Sequence, residues 1–377
     1  MYQNRDKLAN EILTIRVKKA WHGRCSSCLA SIMTCTKALH HKALDDPLSD
    51  TLRAIVLAGE PEPVANDLPE PRLPKPYIKV IGARSMLERT WERIERLIPA
   101  ENIYTLVSER HLSNPEIRRQ LSVRPPGTVI VQPENKDTCP GILLSLMYVR
   151  SRFPETGVAI FPADHFIREE SWYIRYVSLA AQALADDPRR ILILGVVPRY
   201  PETQYSYILP EALTDRSPSI AYHRVLGFVE KPHLSTAIKI VRSGGLWNTM
   251  TMIFKATTIL DLLHKETPEL YAIFQYFGNA IGTDAERGLL RELYADLKPI
   301  NFSRDLLQRF LEKHSNSLGV VPVRDVFWRV WGLPDPTVIN LSSKTTSKNR
   351  KHWRIKSGKH FQKTANLVAV SSRKPHL

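Results

Sequence analysis

Asp164 directly follows the apolar run Val158, Ala159, Ile160, Phe161. Such a run forms an internal strand of a parallel sheet, and a carboxylate at that strand's carboxyl end stands where open α/β sheets place their ligands. Upstream, Thr138 and Pro140 signal a helix start, and Gly141 lets another group approach the first turn closely. The helix they open buries Ile142, Leu143, Leu144, Leu146 and Met147. Strand end, polar turn, helix, loop, strand and acid therefore follow one another between residues 131 and 167. A second set of chemistry-bearing residues lies near the N-terminus, where His22, Cys25 and Cys28 read HxxCxxC, with Cys35 nearby. Soft ligands at that spacing suit a metal, yet with no second pair they close no tetrahedral zinc site. The stretch reads as an extension.

The elements that must carry Asp164 can be placed from apolar periodicity. Residues 53–59 form a first strand. Residues 84–94 form a helix whose apolar face is Met86, Leu87, Trp91 and Ile94. Strands are expected at 103–107, 191–197 and 225–229, and helices at 171–187 and 235–242. Trp247 reads as core. Residues 256–315 read as mostly helical, with Ser303 as an N-cap and Asp305 in the first turn. A last pair of strands is expected at 318–323 and 326–331.

The net charge of +15 over 377 residues is concentrated at the ends. Residues 12–44 hold six Lys or Arg and no acid, and ten more follow Asp335 with no acid among them. The middle of the chain is close to neutral. The expected organisation is a basic, poorly ordered extension at 1–50, one domain at 51–340, and a basic disordered tail at 341–377. The acid-free N-terminal stretch resembles a transit peptide in composition. Four cysteines, three of them crowded near the N-terminus, fit a reducing cytoplasm better than a disulfide framework. No apolar run reaches the ~18 residues of a membrane span. Nucleic acid is left to the basic ends alone, since no fold-level reader accompanies the charge. The oligomeric state stays open.

QPENKDTCPGILL at 132–144 followed by FPADHFI at 161–167 resembles the nucleotide-binding half of the sugar-phosphate nucleotidyltransferases. The branch it resembles most includes the mannose-1-phosphate guanylyltransferases. RSMLERTWERI at 84–94, PETQYSYILP at 201–210, FVEKP at 228–232 and GGLWNTMTMIFKA at 244–256 follow in family order, so that the resemblance covers residues 52–340. It implies an α/β fold: a three-layer, Rossmann-like nucleotidyltransferase domain with a mixed, mostly parallel sheet.

The resemblance also assigns roles. Gly59, Gln132, Glu134, Thr138 and Gly141 match nucleotide-binding positions, with the base packing on Gly141. Lys75, in the pair Pro74-Lys75, matches a phosphate contact and Asp164 the first magnesium ligand. Glu230, Lys231 and Asn248 match residues that hold the sugar phosphate. Two positions depart from the pattern. Where the family carries a glycine-rich phosphate loop, this chain has Glu60, Pro61, Glu62 and Pro63, and no glycine until Gly82. Those prolines offer no N–H, and the acids repel phosphate. Where the family carries a second metal-binding Asp, this chain has Val330, which cannot hold a hard cation. The implied reaction joins an NTP, with GTP favoured, to a hexose-1-phosphate, with mannose-1-phosphate favoured, and uses Mg²⁺. The alternative is a catalytically impaired member that binds a sugar nucleotide as a regulatory subunit.

Overall fold

The computed structural model describes residues 51–59, 73–211, 222–314 and 316–331. The expected extension at 1–50, the loop at 60–72 and the tail at 341–377 lie outside the described residues. Strands run in chain order as β1 (Leu52–Leu57), β2 (Lys79–Ile81), β3 (Arg84–Ser85), β4 (Ile103–Ser108), β5 (Val129–Gln132), β6 (Gly157–Pro162), β7 (His165–Ile167), β8 (Ile191–Val196), β9 (Tyr207–Pro210), β10 (His223–Val229), β11 (Leu246–Lys255), β12 (Leu318–Val323) and β13 (Trp328–Val330). The helices are α1 (Met86–Ile94), α2 (Pro115–Leu121), α3 (Thr138–Arg152), α4 (Glu170–Asp186), α5 (Leu234–Arg242), α6 (Ala256–Glu266), α7 (Pro268–Ala280), α8 (Glu286–Asp296) and α9 (Gln308–Lys313).

One mixed sheet has the order β5-β4-β1-β6-β11-β8-β12-β10-β9. The left half, β5 to β6, is parallel throughout. Strand β11 then runs against both β6 and β8, and β10 against both β12 and β9, while β8 and β12 are parallel. All but β10 and β11 therefore share one direction. Strand β9 also pairs with β11, so β8, β9, β10, β11 and β12 close a ring of pairings.

Helices cover both faces, giving three layers. Alternate strand residues Ile55, Val158, Ile160, Ile191 and Ile193 join one core with α3 and with α6 to α9. Their neighbours Ala54, Val56, Ala159, Phe161, Leu192 and Leu194 are equally buried and point the other way, as the period of two requires. That second face carries α1 and α4.

The sequence expectations meet the structure with three corrections. The helix expected from residue 84 begins at Met86, because Arg84 and Ser85 pair with β2 and Ser85 closes a capping box. The Ser85 hydroxyl accepts from the Glu88 N–H at 3.1 Å, and the Glu88 carboxylate accepts from the Ser85 N–H at 2.7 Å. The helical stretch after residue 300 is capped by Asn301, not Ser303: the Asn301 side chain accepts from the Arg304 N–H. One π-helical turn, Phe302–Leu307, then precedes α9. Finally, β12 and β13 do not pair with each other. Strand β12 enters the main sheet beside β8, and β13 forms a separate ribbon with β7.

Candidate functional site at the carboxyl edge of the sheet

Gly59, Gln132 and Asp164 leave the sheet at one edge because β1, β4, β5 and β6 are parallel and in step. Leu57 pairs with Leu106 on one side and Pro162 on the other, and Ser108 pairs with Gln132. Gln132 is 1% exposed, and its Nε2 donates to the Gly59 carbonyl at 3.3 Å. A methyl on Gly59 would run into that amide. A methyl on Gly141 would lie 2.5 Å from Leu106 Cδ2 and 3.1 Å from Gln132 Oε1. The two glycines thus let a strand end and a helix start close on one buried amide.

The turn before α3 is held more tightly than its sequence suggests. The Asn135 amide donates to the Gly59 carbonyl at 2.6 Å, and its Oδ1 accepts from the Asp137 N–H at 2.9 Å. Asp137 has φ 68 and ψ −171, a conformation that side chains other than glycine's adopt only under constraint. Its carboxylate caps α3, accepting from the Thr138 N–H at 2.6 Å and from Asn301 Nδ2 at 3.2 Å. The Thr138 hydroxyl accepts from the Phe302 N–H at 2.9 Å, which ties α3 to the segment after α8. Glu134 stands on the outer lip, paired with Lys136 at 3.1 Å. Sequence reasoning missed Asn135, Asp137 and Asn301. An Asp or Asn just before a helix is an N-cap signal, and it was legible at positions 137 and 301.

Lys75 opens a 3₁₀ turn, Lys75–Tyr77. The Tyr77 hydroxyl donates to the Ala58 carbonyl at 3.1 Å, which fastens the turn, and Lys75 with it, beside the end of β1. His111 packs edge-on against Tyr77 with ring centroids 5.5 Å apart.

Asp164 is 4% exposed and its carbonyl accepts from the Trp331 N–H at 2.8 Å. Strand β13 pairs Val330 with His165, the residue after Asp164, and so brings Trp331 opposite Asp164 itself. His165 Nε2 lies 3.7 Å from Asp164 Oδ1. Burial, and then the nearby Arg93 charge, push the His165 pKa down to about 3, so the ring is neutral beside the carboxylate. An ordinary His titrates near 6.5. The unfolded chain therefore binds a proton at this site between pH 6.5 and about 3 that the folded chain refuses. Stability is full above that window and falls as the pH drops through it, with a slope of up to about 1.4 kcal/mol per pH unit. Urea melts at pH 7 and pH 5 should show the loss, and the pH slope should shrink in His165→Gln. An unchanged slope would place the protonation elsewhere.

On the other side of Asp164, Ser206 gathers the remaining residues. Its hydroxyl donates to the Glu230 carboxylate, and its carbonyl accepts from the Asn248 N–H at 2.9 Å. Lys231, exposed and at φ 39, follows with Nζ 4.0 Å from Glu230 Oε1. Asn248 Oδ1 accepts from the Met250 N–H at 2.9 Å inside a bulge of β11, where Met250 takes φ 55. Between the Asp164 corner and this one stands an aromatic wall. Trp328 meets His165 and Tyr205 edge-on at 5.0 Å, and Tyr205 meets Trp247 at 5.1 Å. Trp247 is core, at 2% exposed. The Tyr205 hydroxyl accepts from the Val330 N–H at 3.3 Å, fixing β13 to the wall.

Residues 71–288 match the family model described as nucleotidyl transferase, more than half of the chain. The chain belongs to that family. Among curated relatives, the xanthan biosynthesis protein XanB of Xanthomonas campestris pv. campestris (strain B100) is 30% identical over 224 residues, covering 59% of this chain and 46% of XanB. Mannose-1-phosphate guanylyltransferase 2 of Escherichia coli O157:H7 is 26% identical over 239 residues, covering 62% and 49%. The chain thus spans about half the length of the curated relatives it matches. The crystal structure of mannose-1-phosphate geranyltransferase from Thermus thermophilus shares the fold, with TM-score 0.62 and 24% identity, covering 74% of this chain and 76% of that one. Among the described residues of this family member, no helix is long and apolar enough to cross a membrane.

Members of a family that handles nucleotide phosphates can call on a divalent metal, and the residues present bear on whether this one could. Asp164 offers one carboxylate, Val330 offers none, and no group of three or more His, Cys, Asp or Glu is gathered among the described residues. Magnesium demands oxygen ligands and commonly takes most of them from water and substrate phosphate. The donor set fits an ion that arrives with phosphate oxygens, not one caged by protein alone.

Proposed function

We propose that this chain transfers a nucleotidyl group from an NTP, with GTP favoured, to a hexose-1-phosphate, with mannose-1-phosphate favoured. The observation that carries this reading is the position of Asp164 between two clusters at one sheet edge. One is the knot of Gly59, Gln132 and Gly141. The other is the Ser206-centred group of Glu230, Lys231 and Asn248. Family membership and the relatives that carry the guanylyltransferase name support it.

In this reading, a phosphate oxygen of the hexose-1-phosphate bonds to the α-phosphorus of the NTP. The bond from that phosphorus to the bridging oxygen breaks, and pyrophosphate leaves with the electron pair. The protein's part is positioning and charge. Gln132, Glu134 and Thr138 surround the base. Gly59 and Gly141, the second of which the resemblance set against the base itself, act from behind by letting a strand end and a helix start close on the buried Gln132 amide. Lys75 meets phosphate as a point charge. Glu230 and Asn248 address sugar hydroxyls, and Lys231 the sugar phosphate. Magnesium, when bound with the triphosphate, would be held by Asp164 and would neutralise phosphate charge. The setting is the cytoplasm, where both substrates would be met. Pyrophosphate release measured across four NTPs and several hexose-1-phosphates should be fastest for GTP with mannose-1-phosphate. No release with any pair would sink the catalytic reading.

Val330 favours a second reading, a sugar-nucleotide-binding regulatory subunit without turnover, because an apolar residue stands in the sequence where the family resemblance implies a second carboxylate. The same assay decides between the two: this reading requires GDP-mannose to bind to a chain that releases no pyrophosphate.

A further inference from the structure

The ribbon of β7 and β13 continues outward from Asp164, and its two faces differ. His165, Ile167 and Trp328 are buried. Phe166, Arg168, Phe327 and Arg329 alternate with them and lie on the outer face, where Arg329 pairs across the ribbon with Phe166. Phe327 is the centre of that face. Its N–H donates to Glu169 Oε2 at 2.6 Å, and its carbonyl accepts from the Arg168 N–H at 3.0 Å. The Phe166 ring braces it edge-on at 6.0 Å.

Two guanidiniums converge on this fixed ring. Arg168 Cζ lies 4.6 Å from its centroid and Arg199 Cζ 5.5 Å. They reach it from different parts of the chain, Arg168 from the end of β7 and Arg199 from just past β8. The main chain before Arg199 is held at the carboxyl edge by the Val197 N–H, which donates to the Val323 carbonyl at 3.0 Å. Both arginines are exposed, and among the described residues neither has a carboxylate partner. Glu169 accepts from the Phe327 N–H with one carboxylate oxygen. Two like charges brought to one small ring repel each other unless an anion joins them. Stacking on an aromatic face leaves the N–H edges of a guanidinium free for in-plane, bidentate contacts with phosphate oxygens. Both guanidiniums lie within 5.5 Å of the centre of one ring, and a diphosphate, with oxygens at both ends, is the kind of anion that offers each of them a partner.

We propose that Arg168 and Arg199, braced on Phe327, form a diphosphate-binding site on the outer face of the β7–β13 ribbon, at the end of the ribbon away from Asp164, with Arg329 adding positive charge. The inference rests on the nucleotidyl-transfer reading for its biological meaning, since such a site would hold the leaving end of the triphosphate. It does not need that reading for its chemistry. The grip on the leaving group would then come from side chains of the ribbon and of the segment just past β8.

Titration of the full chain with inorganic pyrophosphate tests it, without metal and at fixed salt. Arg168→Gln with Arg199→Gln should weaken binding about tenfold or more. Arg287→Gln with Arg291→Gln removes the same charge from a distant surface pair on Glu109 and should leave the affinity unchanged. Orthophosphate should bind the wild-type chain more weakly than pyrophosphate. Three results would overturn the site: equal weakening by both double variants, which would indicate bulk charge; no weakening by the first; or orthophosphate binding as tightly as pyrophosphate. Pyrophosphate release, run in parallel, separates the two claims. A chain that binds pyrophosphate through Arg168 and Arg199 and never turns over keeps the site and loses the activity. A chain that turns over and binds pyrophosphate equally well in the Arg168→Gln, Arg199→Gln variant keeps the activity and loses the site.

Discussion

Asp164→Asn is expected to lower kcat by about 10³ while leaving the fold intact. The substitution keeps the size of the side chain and removes its charge. The carboxylate sits at the end of β6, 4% exposed, beside a neutral His165. In such a water-poor corner a single preorganised charge acts at full strength on the charge that develops during phosphoryl transfer, and losing one group of this kind commonly costs 10²–10³ in rate, or about 2.7–4 kcal/mol. The main-chain bond from the Trp331 N–H to the Asp164 carbonyl does not involve the side chain, so β7 and β13 should stay paired. Steady-state pyrophosphate release with saturating substrates, together with a thermal melt, checks both parts. Activity within threefold of the wild type would remove Asp164 from the chemistry. A collapsed melt would show that the carboxylate holds the ribbon and would make the rate uninformative on its own.

The fold was legible wherever structure is decided locally. The run from Val158 to Phe161 is specified by its unbroken apolar residues and the helix by its start signals at Thr138 and Pro140, and both lie where those local features put them. Pairing between distant segments was not legible. Strand β13 resembles a hairpin partner of β12 in sequence, but its partner is β7, and that choice depends on Trp328 packing against His165 and Tyr205. The site divides in the same way. Gly59, Gln132 and Gly141 were singled out as separate positions, yet what they form is one contact between segments 73 residues apart. The N-cap roles of Asp137 and Asn301 were legible locally, but their bond to each other spans 164 residues, and nothing local to Asp137 announces a positive φ. The two arginines on Phe327 are likewise invisible in a linear reading, since neither lies in a motif and only the ribbon brings them to one ring.

Glu170→Ala should destabilise the protein by about 3–5 kcal/mol, a large share of the stability of an ordinary domain. Arg93, in the last turn of α1, is 2% exposed, and its guanidinium lies 3.4 Å from Glu170 Oε1 in the first turn of α4. Burial pushes the Arg93 pKa down, and the Glu170 charge is the first influence pushing it back up. Arg96 meets the other carboxylate oxygen at 2.9 Å from a far more exposed position. Removing Glu170 would therefore strand a buried cation, which costs far more than an exposed pair is worth. The loss should be reversible by design. In Glu170→Ala with Arg93→Met the charge is gone and the α1–α4 contact is apolar, so most of the stability should return. Arg96→Ala, by contrast, should change stability by less than about 1 kcal/mol. Denaturant melts of the three variants measure all of this. A single variant no weaker than Arg96→Ala, or a double variant no better than Glu170→Ala, would mean that water reaches Arg93 and that α1 and α4 are held by their apolar faces alone. The pair also lies behind the site, since the Arg93 charge helps hold His165 neutral. If the ribbon loosens with it, Glu170→Ala should lose turnover at temperatures well below its melt, and Arg93→Met in the same chain should restore it.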